Sequence, residues 1–377
     1  MNKSEFENMG RPSDPMLNGD FEKQILQKVS RSFALTIPQL PPELSKIVAN
    51  AYLLCRIVDT IEDEVTFSID QQRIFFDKFS DVVNDKLPAG QFADELYPLL
   101  SDQTLPAERE LILNTPTVIR TFFNFNIHQQ AAIRRCVETM SSCMLEFQKI
   151  QNPYGLETLT QLNAYCYYVA GLVGEMLTTL FCHYSTEIDQ NREKLMGLAA
   201  SFGQGLQMTN ILKDLWEDKE RGACWLPRDV FRKAGFDLNK LSAGDYKTTF
   251  GEGLAALVAT AHGHLKNSLT YTLLFPRHET GIRKFCLWAI SMGIFTLQNI
   301  NRTRNFTSAE DVKISRRTTR TIIAVSNATL KSNFMLKILF KLASLGLPTT
   351  DPTMSALQPA FTQLDEEWPI GGQRSLD

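Results

Sequence analysis

Five carboxylates and one amide pose the chemical question in this 377-residue chain. In LLCRIVDTIEDE, Asp59, Glu62 and Asp63 stand at i, i+3 and i+4. A helix therefore projects all three from one face, one turn apart. Like charges at that spacing cost an isolated helix about 0.2–0.5 kcal/mol per pair. The surrounding Leu53, Leu54, Ile57, Val58 and Ile61 predict that this turn faces inward and needs a compensating cation. A lone DxxED is ordinarily a solvated helix end; a second cluster changes the reading. GLQMTNILKDLWED places Asn210, Asp214 and Asp218 at i, i+4 and i+8, a line of oxygen donors with Glu217 beside it.

Hard oxygen donors without His or Cys select Mg²⁺, which takes few protein carboxylates and completes its shell with water and phosphate oxygens. Two facing carboxylate rows would hold Mg²⁺ ions with a diphosphate between them. Diphosphate leaves carbon readily only when its growing charge is neutralised, and Arg31, Arg56, Lys213 and Arg221 lie in or beside the motifs to help. The allylic cation left behind must be kept from water and is stabilised by aromatic faces. Phe33, Tyr52, Tyr165, Tyr168, Phe202 and Phe285 are candidates, each also suited to ordinary core packing. In AYCYYVAGLVGEMLTTLF, Ala170, Gly171 and Gly174 allow another helix or a long substrate to approach the backbone, and the Tyr165 hydroxyl among them needs a partner.

Other chemistries lack their residues. No His lies in HExxH, no Walker A loop or DxDxDG calcium loop is present, and GQGLQM at Gly203 fails the dinucleotide fingerprint at Met208. Lys+Arg of 39 against Asp+Glu of 42 gives a net charge of −3 and no signal for nucleic acid. Seven scattered cysteines without CxxC spacing argue against a disulfide framework or zinc site and point to a reducing, cytoplasmic setting.

Helical periodicity dominates, and the expected fold is all-α, a single domain around a central apolar cavity. Prolines 38, 41, 42, 106, 116, 153 and 227 are placed between helices. Helices are expected near Phe21–Phe33, Glu43–Glu64, Ile69–Val83, Gln91–Tyr97, Ile127–Gln148, Leu159–Tyr184, Arg192–Lys219, Gly251–Leu274, Gly281–Ile300 and Arg316–Leu345, the last one helix or two. Residues 1–20 read as a disordered lead-in without a secretory h-region, 21–346 as the catalytic body and 347–377 as an irregular tail. No run reaches the roughly 18 apolar residues of a spanning helix. Lys331–Gly346, apolar but interrupted by Lys331, Lys337 and Lys341, reads either as a helix docked on the body or as a basic amphipathic helix on a membrane surface.

Four blocks occur in a characteristic order: SRSFA at Ser30, CRIVDTIED at Cys55, YCYYVAGLVGE at Tyr165, and QMTNILKDLWED with ERGACWLP from Gln207 to Pro227. In these the chain resembles the squalene/phytoene synthase family of head-to-head prenyl transferases, from about Phe21 to Leu345. The resemblance implies an isoprenoid-synthase-type helical fold and condensation of two farnesyl diphosphates to presqualene diphosphate. It implies that Asp59 and Asp63 are the first Mg²⁺-diphosphate ligands, with Glu62 beside them, and Asn210, Asp214 and Asp218 the second set. Tyr165 takes the place of a tyrosine that aids proton removal, Phe285 that of an aromatic steering the second carbocation. Ser30, Ser32, Phe33, Tyr52, Arg56 and Gln207 fall at substrate positions, with Lys213 and Arg221 near the diphosphate. VKISR at Val312 resembles the squalene-forming branch, which uses NADPH; Lys313 and Arg316 would contact that cofactor. The chain departs from the pattern at Lys213, where Arg is usual, and at Ala223, where a basic residue is common. A Lys offers a point charge and not a bidentate fork. The eukaryotic members' C-terminal membrane helix has no counterpart. The competing readings are a non-reductive relative that releases presqualene diphosphate or a dehydrosqualene- or phytoene-type triene, and a non-catalytic helical binding protein.

Overall fold

In a computed structural model, the chain is described for residues 15–30, 32–150 and 152–350, with side chains from residue 21. Arg31, most of the expected lead-in and the tail from 351 lie outside these residues. Among the described residues the architecture is helical throughout, interrupted by one isolated parallel bridge, Leu156 to Pro227. Two compact units divide the chain, Met1–Glu138 and Thr139–Asp377.

The first unit is organised on the helix Pro42–Glu62. Leu53, Leu54, Ile57, Val58 and Ile61 are fully buried, so the turn carrying the first acidic motif is anchored from behind, as its apolar neighbours predict. Asn50, also buried, donates to Glu22 Oε1 at 2.8 Å and to the Val118 carbonyl at 2.9 Å, tying helices Pro15–Val29 and Thr115–Phe123 to the same hub. Burial pushes the Glu22 carboxyl up to about 7. Pro106 and Pro116 do not sit in connections: Pro106 begins the helix Pro106–Leu113 and Pro116 lies in the first turn of Thr115–Phe123. The first-turn N–H groups have no intrahelical acceptor, so a residue without N–H costs nothing there.

The second unit is built where small residues let helices touch. Leu159–Cys166, a π turn at Tyr167–Gly171 and Leu172–Tyr184 form one run against Arg192–Lys213. A methyl group on Gly174 would lie 2.1 Å from the Ala199 carbonyl oxygen, and one on Gly203 would lie 1.9 Å from that of Ala170. Helix contact therefore accounts for Ala170 and Gly174. The run Leu159–Tyr184 does reach spanning length and hydropathy by composition, but 78% of its apolar window is buried inside the protein. Thr248–Leu274, Thr280–Arg302, Arg316–Thr329 and Asn333–Ala343 complete the unit, the last two being separate helices. Fully buried Arg283 donates to the carbonyls of Phe275 at 2.9 Å and Leu330 at 3.0 Å and to Asn333 Oδ1 at 2.6 Å, fastening the C-terminal pair to the body.

Candidate active site

In the first unit the acidic turn is a network of charges. Arg56 lies one turn before Asp59, with 3.4 Å between Nη1 and Oδ2, and its other nitrogen binds Glu108, which is buried at the start of Pro106–Leu113. Burial opposes the Arg56 charge, but Asp59 and Glu108 outweigh it and hold the guanidinium protonated. Burial pushes the Asp59 carboxyl up to about 6; Arg56 pulls it back, while Asp63 and Glu108 add to the rise. Glu62 closes the helix half-buried, and Asp63 caps it exposed, donating its N–H to the Asp59 carbonyl at 2.8 Å. Glu64 turns away: it accepts from Thr66, Ser101 and Thr104 and braces the following loop. Nearby, the Phe33 and Tyr52 rings meet at 5.4 Å, Tyr52 donates to the Val29 carbonyl at 3.3 Å, and Ser30 Oγ accepts from Phe33 N–H at 3.0 Å. Ser32 is exposed.

The second acidic row keeps its axis through a break. Arg192–Lys213 ends at Asp214 and resumes as Leu215–Glu220, yet Asp214 N–H still donates to the Asn210 carbonyl at 2.8 Å and Asp218 N–H to that of Asp214 at 2.9 Å. The three donors expected from the spacing therefore share one line. Two cations attend them: Lys213 Nζ stands 3.1 Å from Asp214 Oδ2 and 3.5 Å from Asn210 Oδ1, and Arg221 lies 2.6 Å from Asp218 Oδ1. Burial raises the Asp214 carboxyl despite Lys213. Glu217 serves structure, accepting from Ala309 N–H at 2.8 Å, and Gln207 is half-buried one turn before Asn210–Ile211.

Tyr165 is buried and its ring stacks on Trp225 with centroids 3.8 Å apart and planes 8° from parallel. Phe147 meets it edge-on at 5.3 Å. Phe285 lies in an aromatic group with Phe202 at 6.5 Å and Phe181 at 6.3 Å, 1% exposed. Lys313 is exposed and paired with Glu310 at 2.5 Å; Arg316 is exposed at a helix start. Sequence reasoning missed Glu108 and Trp225. Trp225 stands inside the quoted ERGACWLP block as an aromatic beside a helix break. Glu108 carries no signal, because its partner is 52 residues away.

Among the described residues no three His, Cys, Asp or Glu side chains converge on one point. The donor set nevertheless fits Mg²⁺. Each row offers oxygen atoms alone, and burial raises the carboxyl of Asp59 in one and of Asp214 in the other.

The chain is similar to known proteins in sequence and in fold. The family model described as squalene/phytoene synthase matches residues 26–318. Squalene synthase of Eremothecium gossypii is 30% identical over 73% of this chain and 60% of its own length, and that of Nicotiana benthamiana 32% identical over 75% and 64%. The match thus spans about three fifths of these relatives' length. Among solved structures, a TcSQS complex with the ligand BPH1237 superposes with a TM-score of 0.71 at 24% identity, covering 94% of this chain and 98% of the other. A dehydrosqualene synthase complex gives 0.63 at 21%, covering 84% and 98%. At these identities the structural likeness establishes the helical fold.

Proposed function

The chain belongs to the squalene/phytoene synthase family, and on that premise we propose that it joins two farnesyl diphosphates head to head into presqualene diphosphate and reduces that intermediate to squalene. The observation that carries this reading is the second acidic row, Asn210, Asp214 and Asp218 in line with Lys213 and Arg221 against them. Such a row, with cations set against its carboxylates, suits an oxygen-rich anion carried on metal.

Asp59 and Asp63 in one row, and Asn210, Asp214 and Asp218 in the other, would hold Mg²⁺, which when bound neutralises diphosphate charge as the carbon–oxygen bond breaks. Lys213 and Arg221 add positive charge where the leaving electron pair accumulates, and Arg56 orients Asp59. The donor's C1 bonds to both carbons of the acceptor's double bond and loses one proton, closing the cyclopropane. One diphosphate and one proton leave. Tyr165, fixed flat against Trp225, is the residue we assign to guide that proton. Phe285 and Phe202 provide dry aromatic surface for the second cation. Ser30, Ser32, Phe33, Tyr52 and Gln207 are assigned to the substrates. The second cation is left when presqualene diphosphate gives up its own diphosphate; Lys313 and Arg316 would hold NADPH by its phosphate, and the cofactor when bound would supply the hydride for that cation.

Incubation of the purified chain with farnesyl diphosphate and Mg²⁺, with and without NADPH, tests the proposal by mass spectrometry. Squalene with NADPH and presqualene diphosphate without it are expected. Absence of both products sinks it. The Lys313–Glu310 pair favours one second reading, a non-reductive enzyme whose final cation loses a proton to give a dehydrosqualene-type triene; products indifferent to NADPH would establish that reading.

A further inference from the structure

Between Val312 and Thr350 the chain carries seven basic residues and no acidic one, against 39 and 42 in the whole. The helices Arg316–Thr329 and Asn333–Ala343 carry five of the seven. From Lys331 to Leu345 every exposed position is either lysine, at 331, 337 and 341, or large and apolar: Phe334 at 71% exposure, Met335, Leu342 at 57% and Leu345 at 61%. A helix docked on a protein turns polar side chains outward. Here the inner side is already satisfied, since Leu336 packs with Leu269, Leu287 and Leu330 and Arg283 bonds to Asn333. The outer apolar side chains are therefore surplus to folding.

Behind the same face lies a cavity of about 550 Å³ between Thr280–Arg302, Arg316–Thr329 and Asn333–Ala343. Ile290, Ile294, Ile322 and Leu339 line it, and its wall includes exposed Val325 and Leu342, so it opens among the surplus apolar residues. Its size is that of a pocket for a small lipid-like group.

We propose that this face docks on an anionic lipid bilayer, with Lys331, Lys337, Lys341 and Arg320 at the headgroups, Phe334, Leu342 and Leu345 in the acyl boundary, and one lipid chain entering the cavity. Charge selects this occupant. Lysines interleaved with large apolar residues match a negatively charged interface, whereas a second copy of the face would bring like charges together. The chain's own residues 351–377 contain five carboxylates and are the competing occupant.

The test is co-sedimentation of the full chain with vesicles of phosphatidylcholine alone or mixed with phosphatidylserine. Binding about tenfold greater to the mixed vesicles, and reversed by high salt, is expected. The double variant K337E/K341E should abolish the preference, and F334S/L342S should weaken binding at any salt, both with unchanged turnover in detergent solution. S326F, or A343F should the former melt, fills the cavity and should reduce binding while leaving its salt dependence. Equal or absent partition to the two vesicles overturns the proposal. A chain ending at Thr350 that binds where the full chain does not would overturn it in favour of the tail, and an oligomer that F334S/L342S dissolves without any lipid binding would overturn it in favour of self-association.

Discussion

Asp59 and Glu64 are five residues apart, and their surroundings drive them in opposite directions. Burial, with Asp63 and Glu108 nearby, raises Asp59 to about 6. An acid raised in this way binds a proton in competition with metal. Below pH 6 the Mg²⁺ concentration for half-maximal turnover should therefore climb about tenfold per pH unit, read from Mg²⁺ titrations between pH 5 and 8; a flat dependence would remove Asp59 from the metal site. Asp59→Asn keeps the shape and removes the charge, and should cut turnover about 10²–10³-fold with helical circular dichroism intact. Burial works against the Glu64 charge too, but hydrogen bonds from Thr104, Ser101 and Thr66 prevail and hold it at about 2. A carboxyl depressed below its ordinary 4.5 stabilises the fold above that pH and loses the contribution as pH falls toward 2. Glu64→Gln should thus cost about 3 kcal/mol at pH 7 in urea unfolding, with the gap to the unsubstituted protein closing under acid. A gap that persists at pH 2 would mean the residue acts by shape alone.

At the scale of elements, periodicity located the long helices well: Ile69–Val83 and Leu159–Tyr184 begin and end where expected. It failed between Pro106 and Phe123, where two short helices carry in their first turns prolines that read as breaks, because proline's meaning depends on whether its N–H would have had an acceptor. The break at Asp214 was also invisible. Both acidic rows were found because their carboxylates repeat at helical spacing within a few residues. Glu108 escaped because tertiary pairing has no period. The glycines show the same limit from another side. Gly203 was read only as part of a failed nucleotide fingerprint, yet it sits where the helix Arg192–Lys213 meets the backbone of Ala170. Gly203→Ala would push a methyl to 1.9 Å from the backbone oxygen of Ala170, which no rotamer can relieve. It should destabilise the protein by about 3 kcal/mol or more, measured by urea or thermal unfolding. Gly197→Ala, where a methyl meets nothing within 4 Å, should be harmless or stabilising. Equal losses at the two sites would contradict the packing account.

For the whole molecule, the seven cysteines serve as buried reporters of how it opens. None is bonded to another and all are buried. Burial pushes the thiols of Cys143 and Cys286 up to about 12 and that of Cys182 to about 11, so neither access nor thiolate is available in the native state. Reaction with a thiol reagent must then pass through local or global opening. Cys55 and Cys136 belong to the first compact unit, the other five to the second. Each unit has its own enclosed core, Leu53, Ile57 and Phe79 in one and Leu180, Leu257 and Phe285 in the other, so each can open by itself. Rising urea should therefore expose thiols in two steps of two and five, resolved by mass spectrometry of the labelled chain, after almost no labelling in native buffer. Simultaneous appearance of all seven would show that the chain opens as one cooperative body, and rapid labelling without urea would contradict the burial itself.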